Sequence, residues 1–281
     1  VGRHRVAEHL AVDALPLRGD GAEVHPTQAA EGHAAATVGE AHLEVHALSG
    51  KLPRHVGRYR ALQGPKAEAI LQPLCAVDLS GMAYHTGIET VVAGTPTLLG
   101  RTGYTGEDGF ELFVAPEYAA RLWDGLLEKG REAGLKPAGL GARDSLRFEA
   151  CLALYGHEIA DDINPYEARL GWVVKLNKGE FVGRQRLAEI KQGGTTRRLV
   201  GFEVLGRGIA RGDYEIRSVE GEKLGSVSTG MPAPTLGKPL GMGYVPLAYA
   251  TEGSEFDIIV RDKAVRAKAV KMPFYKPRYK Q

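Results

Sequence analysis

From residue 61 onward the apolar positions switch between helical and extended spacing, whereas before residue 59 they follow neither period for long. Ala61-Leu-Gln-Gly-Pro65 reads as a strand end and a turn. Residues 66–74 then start a helix with Pro65 at its first turn, where a missing N–H costs nothing. Residues 91–99 are β-rich, and 110–114 form a short strand of mixed polarity. In 116–133, Ala120, Leu122, Trp123, Leu126 and Leu127 recur at helical spacing. Gly134 stops that helix and Pro137 keeps it from resuming. Gly141-Ala-Arg-Asp-Ser145 opens another helix, expected to run to about Leu152.

Gln192-Gly-Gly-Thr-Thr196 is the best linker in the chain. After it come six short β-type runs, 199–204, 214–218, 224–229, 241–245, 256–260 and 265–270, separated by Gly, Pro, Asp and Glu turns with no helix between them. Such spacing predicts a small antiparallel barrel or sandwich. The expected class is α+β: an α+β domain over 59–192, then a β-barrel or sandwich domain over 197–281.

Residues 1–58 stand apart. They hold seven of the nine histidines and no Phe, Tyr or Trp. A segment so poor in large apolar side chains buries little surface, so it is expected to be disordered, a weakly packed lead, or an aberrant, out-of-frame stretch. Its histidines lack metal-ligand spacing such as HExxH. The first residue is Val1, which suits a fragment.

Overall composition changes this picture little. Of 281 residues, 43% are hydrophobic and 25% charged, ordinary values for a globular protein with a sizeable core. A formal net charge of +2 is too small to argue for nucleic acid or an acidic membrane. No apolar run approaches the roughly 20 residues of a membrane helix. Cys75 and Cys151 form no CxxC pair; they suit a reducing compartment and read as small buried hydrophobes.

Two segments carry chemistry. The first is Leu99-Gly-Arg-Thr-Gly-Tyr-Thr-Gly-Glu-Asp-Gly-Phe-Glu-Leu112, with four glycines in residues 100–109 and the acids Glu107, Asp108 and Glu111. It lacks the GKS/T of a phosphate loop; the plain alternative is a Gly-rich hairpin with solvated acids. The second is Pro137-Ala-Gly-Leu-Gly-Ala-Arg-Asp-Ser-Leu-Arg147. Asp144 in the first turn of that helix suits its dipole and Arg143 does not. Either Arg143 meets a carboxylate elsewhere or it simply pairs with Asp144 or Glu149.

Taken together these motifs resemble a known family. Gly-Tyr-Thr-Gly-Glu-Asp-Gly-Phe-Glu (103–111), Gly-Ala-Arg-Asp-Ser-Leu-Arg (141–147), Leu-Tyr-Gly-His-Glu (154–158) and Leu-Gly-Trp-Val-Val-Lys (170–175) follow the pattern of the aminomethyltransferase family, the T-protein of the glycine cleavage system. So do Lys-Gly-Glu-Phe-Val-Gly-Arg (178–184), Gly-Met-Gly-Tyr-Val (241–245) and Lys-Met-Pro-Phe-Tyr-Lys-Pro-Arg-Tyr (271–279). The resemblance begins at about Ala61 and does not extend to residues 1–58.

The resemblance implies a folate-binding α+β lobe, a barrel, and tetrahydrofolate as co-substrate with no metal. It implies transfer of a methylene carbon from the aminomethyl-lipoyl arm of the H-protein to tetrahydrofolate, with release of ammonia. By motif position Glu111 corresponds to the pterin-binding carboxylate, whose two oxygens accept the two donors of a pterin edge. Arg143 and Tyr279 correspond to substrate-contacting residues, and Trp172 and Arg211 to further pocket residues. The implied partner is the lipoylated H-protein, not nucleic acid or a membrane, and the implied location is the cytoplasm, with the mitochondrial matrix as the alternative.

The departures are equally definite. The family's catalytic aspartate lies ahead of Ala-Leu-Gln-Gly-Pro, and neither Asp13 nor Asp20 stands in a similar context, so no catalytic acid is assigned. A chain without that early stretch is expected to be inactive or poorly stable, or a folate-binding module. A related iron–sulfur repair protein has a cysteine where Lys178-Gly-Glu-Phe has Glu180. The folate domain of dimethylglycine or sarcosine oxidases would follow a GxGxxG flavin domain, which this sequence lacks near its start.

Overall fold

The computed structural model describes residues 10–13 and 58–279, and contact groups the chain into two compact units, Val1–Arg147 with Pro277–Gln281, and Phe148–Lys276. Apart from the strand Leu10–Asp13 and Arg58, the expectation for residues 1–58 lies outside the described residues.

The first unit is a six-stranded sheet with helices packed on its faces. Its strands are β1 (Leu10–Asp13), β2 (Arg58–Gln63), β3 (Thr86–Val92), β4 (Thr95–Arg101), β5 (Gly109–Val114) and β6 (Lys136–Ala138), in the order β3-β4-β5-β2-β1-β6. All neighbours pair antiparallel except β1 with β6. The strand expected over 91–99 is instead a hairpin. It turns at Ala93 and Gly94, which both take positive φ, and splits the β-rich run between β3 and β4.

Alternation along a strand sends successive side chains to opposite faces. On one face Leu62, Leu99, Phe110, Leu112 and Val114 pack against α1 (Ala67–Leu71) and α2 (Ala119–Gly130). From α2 they meet Leu122 and Leu126. Fully burying such side chains stabilises by about 1.5–3 kcal/mol each. The helix expected over 116–133 is shorter: a 3₁₀ turn at Pro116–Tyr118 leads in, and Gly134 at φ 84° follows its end.

The other face carries Tyr59, Ala61, Gln63, Gly109, Glu111 and Phe113, in register with one another. Ala61 and Ala138 are buried there with Ala142 of α3 (Leu140–Glu149) packed against them. This helix was expected to reach Leu152; Cys151, in the left-handed region at φ 53°, takes the chain out of it.

The second unit is built on a closed barrel of β7 (Arg197–Val204), β8 (Glu215–Arg217), β9 (Lys223–Ala233), β10 (Lys238–Pro246), β11 (Glu255–Val260) and β12 (Lys263–Val270), ordered β10-β7-β12-β11-β8-β9. All six expected strands are present and every pairing is antiparallel. Phe202, Ile216, Val227, Val245, Phe256 and Ile258 fill the core. Closure removes the edges that an open sheet leaves unpaired. Ahead of the barrel, α4 (Arg184–Gly193) buries none of its residues, and the 192–196 linker joins it to β7.

Candidate functional site

The Gly-rich turn 102–108 joins β4 to β5 and is fixed from two sides. Arg101 is wholly buried; its Nη2 meets Glu68 at 2.7 Å and Asp108 at 2.5 Å, and its Nη1 donates to the carbonyl of Leu79 at 2.8 Å. Gln63 fills the inside of the turn. Its Nε2 donates to the Thr102 carbonyl at 3.1 Å, and its Oε1 accepts from Thr105 Oγ1 at 3.0 Å. A Cβ at Gly103 would fall 1.9 Å from Gln63 Oε1, and one at Gly109 2.4 Å from its Nε2. These glycines are therefore demanded by close approach. The acids of the turn are not solvated, contrary to the plain hairpin reading: Glu107 is buried and Asp108 is held by Arg101.

With the turn fixed, β5 presents Glu111 on the sheet face away from α1 and α2. The residue is 8% exposed, and no hydrogen bond or ion pair reaches its carboxylate among the described residues. Burial pushes its pKa up from the ordinary carboxylate range, and the charge of Arg143 partly draws it back.

Arg143 does not pair with Asp144. That carboxylate takes Arg147, at 2.8 Å from Nε and 2.7 Å from Nη2. Because α3 starts at Leu140, Asp144 also falls beyond its first turn. Arg143 instead lies 4.6 Å over the ring of Tyr104, a cation–π contact.

Tyrosines complete the surroundings. Tyr59 stacks on Phe113 at 5.6 Å, and its hydroxyl is buried without a partner. Burial pushes its pKa up to about 12, with Arg143 lowering it and Glu111 raising it. Tyr84 stacks on Tyr279 with ring centroids 4.4 Å apart and 20° between planes. Tyr84 is also pushed up, by burial first and then by Tyr279 and Glu111. Tyr279 reaches this place because Arg278 runs beside Glu107 as a parallel bridge, its N–H donating to the Gly106 carbonyl at 2.8 Å.

Of the residues singled out in the sequence, Glu111, Arg143 and Tyr279 thus share one electrostatic neighbourhood. Trp172 and Arg211 belong to the second unit. Trp172 sits in a 3₁₀ turn, 69% exposed, and Arg211 is exposed in the loop between β7 and β8. Sequence reasoning did not single out Tyr59, Tyr84 and Tyr104. Tyr104 lay inside the first motif, whereas Tyr84 carries no local signal and is brought here by its stack on Tyr279.

A buried, unpartnered carboxylate beside a cation and stacked aromatic rings suits a flat heterocycle whose edge offers two N–H donors. Among the described residues no group of three or more His, Cys, Asp or Glu is arranged to hold a metal ion. No helix among them is long and apolar enough to cross a membrane.

Comparison with known proteins adds independent findings. Residues 56–178 match the family described as the GCVT N-terminal domain, and residues 197–276 the glycine cleavage T-protein C-terminal barrel domain. The chain is 55% identical over 221 residues to an aminomethyltransferase of Herpetosiphon aurantiacus, covering 79% of this chain and 60% of the relative. It is 53% identical over 216 residues to one from Desulforamulus reducens, covering 77% and 59%. A crystal structure of the glycine cleavage system aminomethyltransferase T from Bartonella henselae superposes with a TM-score of 0.73 at 34% identity, covering 80% of this chain and 61% of that one. The chain therefore spans about three fifths of the length of the curated relatives it matches.

Proposed function

This chain belongs to the aminomethyltransferase family, the T-proteins of glycine cleavage, and from that premise we propose that it binds tetrahydrofolate in its first unit. We further propose that it passes to tetrahydrofolate the methylene carbon of an aminomethyl group carried on the lipoyl arm of an H-protein, with release of ammonia. The observation that carries this reading is Glu111, a carboxylate 8% exposed that no described residue satisfies.

In this reading the carboxylate accepts the two donors on the pterin edge in a fork. Tyr279 and Tyr84, already stacked, supply a flat apolar wall for a ring. Arg143 favours the ionised form of Glu111 against the effect of burial and presents a cation where the substrate approaches. Tyr59 feels the charge of both and has an unsatisfied hydroxyl, a donor for a ligand. Tetrahydrofolate supplies the amine nitrogens that accept the carbon. The residues named here bind and orient it, and the acid that assists the transfer is not assigned.

Trp172 and Arg211 stay candidate ligand-contacting residues of the second unit, both exposed and their side chains without a hydrogen-bond or ion-pair partner among the described residues. The domain division over 59–192 and 197–281, the H-protein as partner and the cytoplasm as location belong to the same proposal.

The test is a transfer assay with H-protein carrying the aminomethyl group. Formation of 5,10-methylenetetrahydrofolate by this chain, lost in Glu111→Ala, is the expected outcome. Folate binding without transfer would make the chain a binding module. Neither binding nor transfer would refute the reading.

A further inference from the structure

The second unit holds a cleft that the folate reading leaves unused. It forms where the loop after Pro165, the end of α4 and the start of β7 meet, and it encloses about 300 Å³. Tyr166, Arg169, Ile190, Lys191, Thr195 and Arg198 line it, with two glycines.

Three cations line this cleft and no carboxylate does. Nearby acids are engaged elsewhere: Glu167 with Arg197 at 3.1 Å, Asp162 with Arg197 at 3.7 Å, and Glu189 with Arg186 at 3.3 Å. Among the described residues, neither Arg169, Lys191 nor Arg198 has an ion pair. Arg169 is nevertheless anchored, its Nε donating to the Leu199 carbonyl at 2.7 Å, and its backbone sits in the left-handed region at φ 61°. Burial lowers its pKa, and the facing charge of Arg198 lowers it further. The ring of Tyr166, packed beside Gly171, forms part of the wall.

Two guanidinium groups, an ammonium and the hydroxyl-bearing Thr195 line one cleft and offer donors and positive charge with no carboxylate among them. We propose that this cleft binds a phosphate dianion, either free or as the phosphoryl group of a small metabolite. Arginine's planar fork suits phosphate oxygens, and 300 Å³ leaves room for a small body attached to the phosphoryl group.

The experiment is calorimetric titration of the whole chain with inorganic phosphate at fixed ionic strength, repeated with glycerol phosphate and with phenyl phosphate. Saturable binding is expected, weakened about tenfold in Arg198→Gln, as fits loss of one charged hydrogen bond. Arg207→Gln, an exposed cation outside the cleft, is expected to bind as the parent does. Arg198 is exposed and unpaired, so its variant is expected to fold, which circular dichroism checks. Tighter binding of a monoester than of phosphate would assign a carried phosphoryl group, and equal affinity the free ion. No saturable heat, or equal weakening in Arg198→Gln and Arg207→Gln, would overturn the proposal.

Discussion

Glu111 is under two opposed demands, one from folding and one from binding. Its pKa in the folded protein is raised by burial, only partly offset by Arg143. The folded state therefore binds the proton more readily than the unfolded chain does. Its contribution to stability is fully present below the unfolded value of about 4.3 and is lost as pH rises through the raised folded value. Above the unfolded value the carboxyl group is thus a cost in the absence of ligand. Glu111→Gln is expected to leave the ligand-free protein more stable near pH 7, and to flatten the acid side of its stability profile. Urea unfolding across pH measures both, and a less stable variant would make the carboxylate structural. Arg101 is the contrasting case, a buried cation satisfied by Glu68, Asp108 and two carbonyls. Arg101→Met strands two carboxylates and is expected to cost about 3–5 kcal/mol, read as a large fall in thermal midpoint.

At the scale of elements, the turn 102–108 shows what a sequence reveals and what it withholds. Its glycines announced a tight backbone, but the object they make room for is the side chain of Gln63, from a strand some forty residues earlier. Gly103→Ala is expected to cost about 1–3 kcal/mol, as overpacking does, and Gln63→Ala in the same chain is expected to recover part of that loss. A double-mutant cycle by denaturant melts decides it, since strict additivity would mean that the two do not meet. The β3–β4 hairpin was hidden for another reason. Ala93-Gly94 lacks the Asn or Asp that usually marks such a turn, and Val91, Val92, Thr95 and Thr97 keep the run β-like across it. Arg143 was legible because a cation in a helix's first turn opposes the dipole. The ring of Tyr104 beneath it was not legible, since nothing local joins residue 104 to residue 143.

At the scale of the molecule, the barrel was the most legible part, because Gly, Pro and acidic turns punctuate each strand and closure needs no partner beyond the strands themselves. Its attachment to the loop after α3 was not legible. Glu158 is fully buried, and its carboxylate accepts from Ser228 Oγ at 2.7 Å, Thr229 Oγ1 at 2.5 Å and the Leu154 N–H at 3.1 Å. Those donors come from β9 and from the loop itself, so the motif Leu-Tyr-Gly-His-Glu, legible as a family mark, is physically an anchor to the barrel wall. Glu158→Leu is expected to cost about 2–4 kcal/mol by leaving buried donors unpaired. Calorimetry would show it as a lower melting temperature, with Glu111-dependent binding retained below that melt.

The central claim is that the unsatisfied carboxylate on β5 receives a pterin. Calorimetric titration of the whole chain with tetrahydrofolate, beside Glu111→Ala, tests it most directly. Saturable binding in the parent that disappears in the variant, with both proteins folded by circular dichroism, is the expected result. Equal binding in the two, or none in a folded parent, would contradict it.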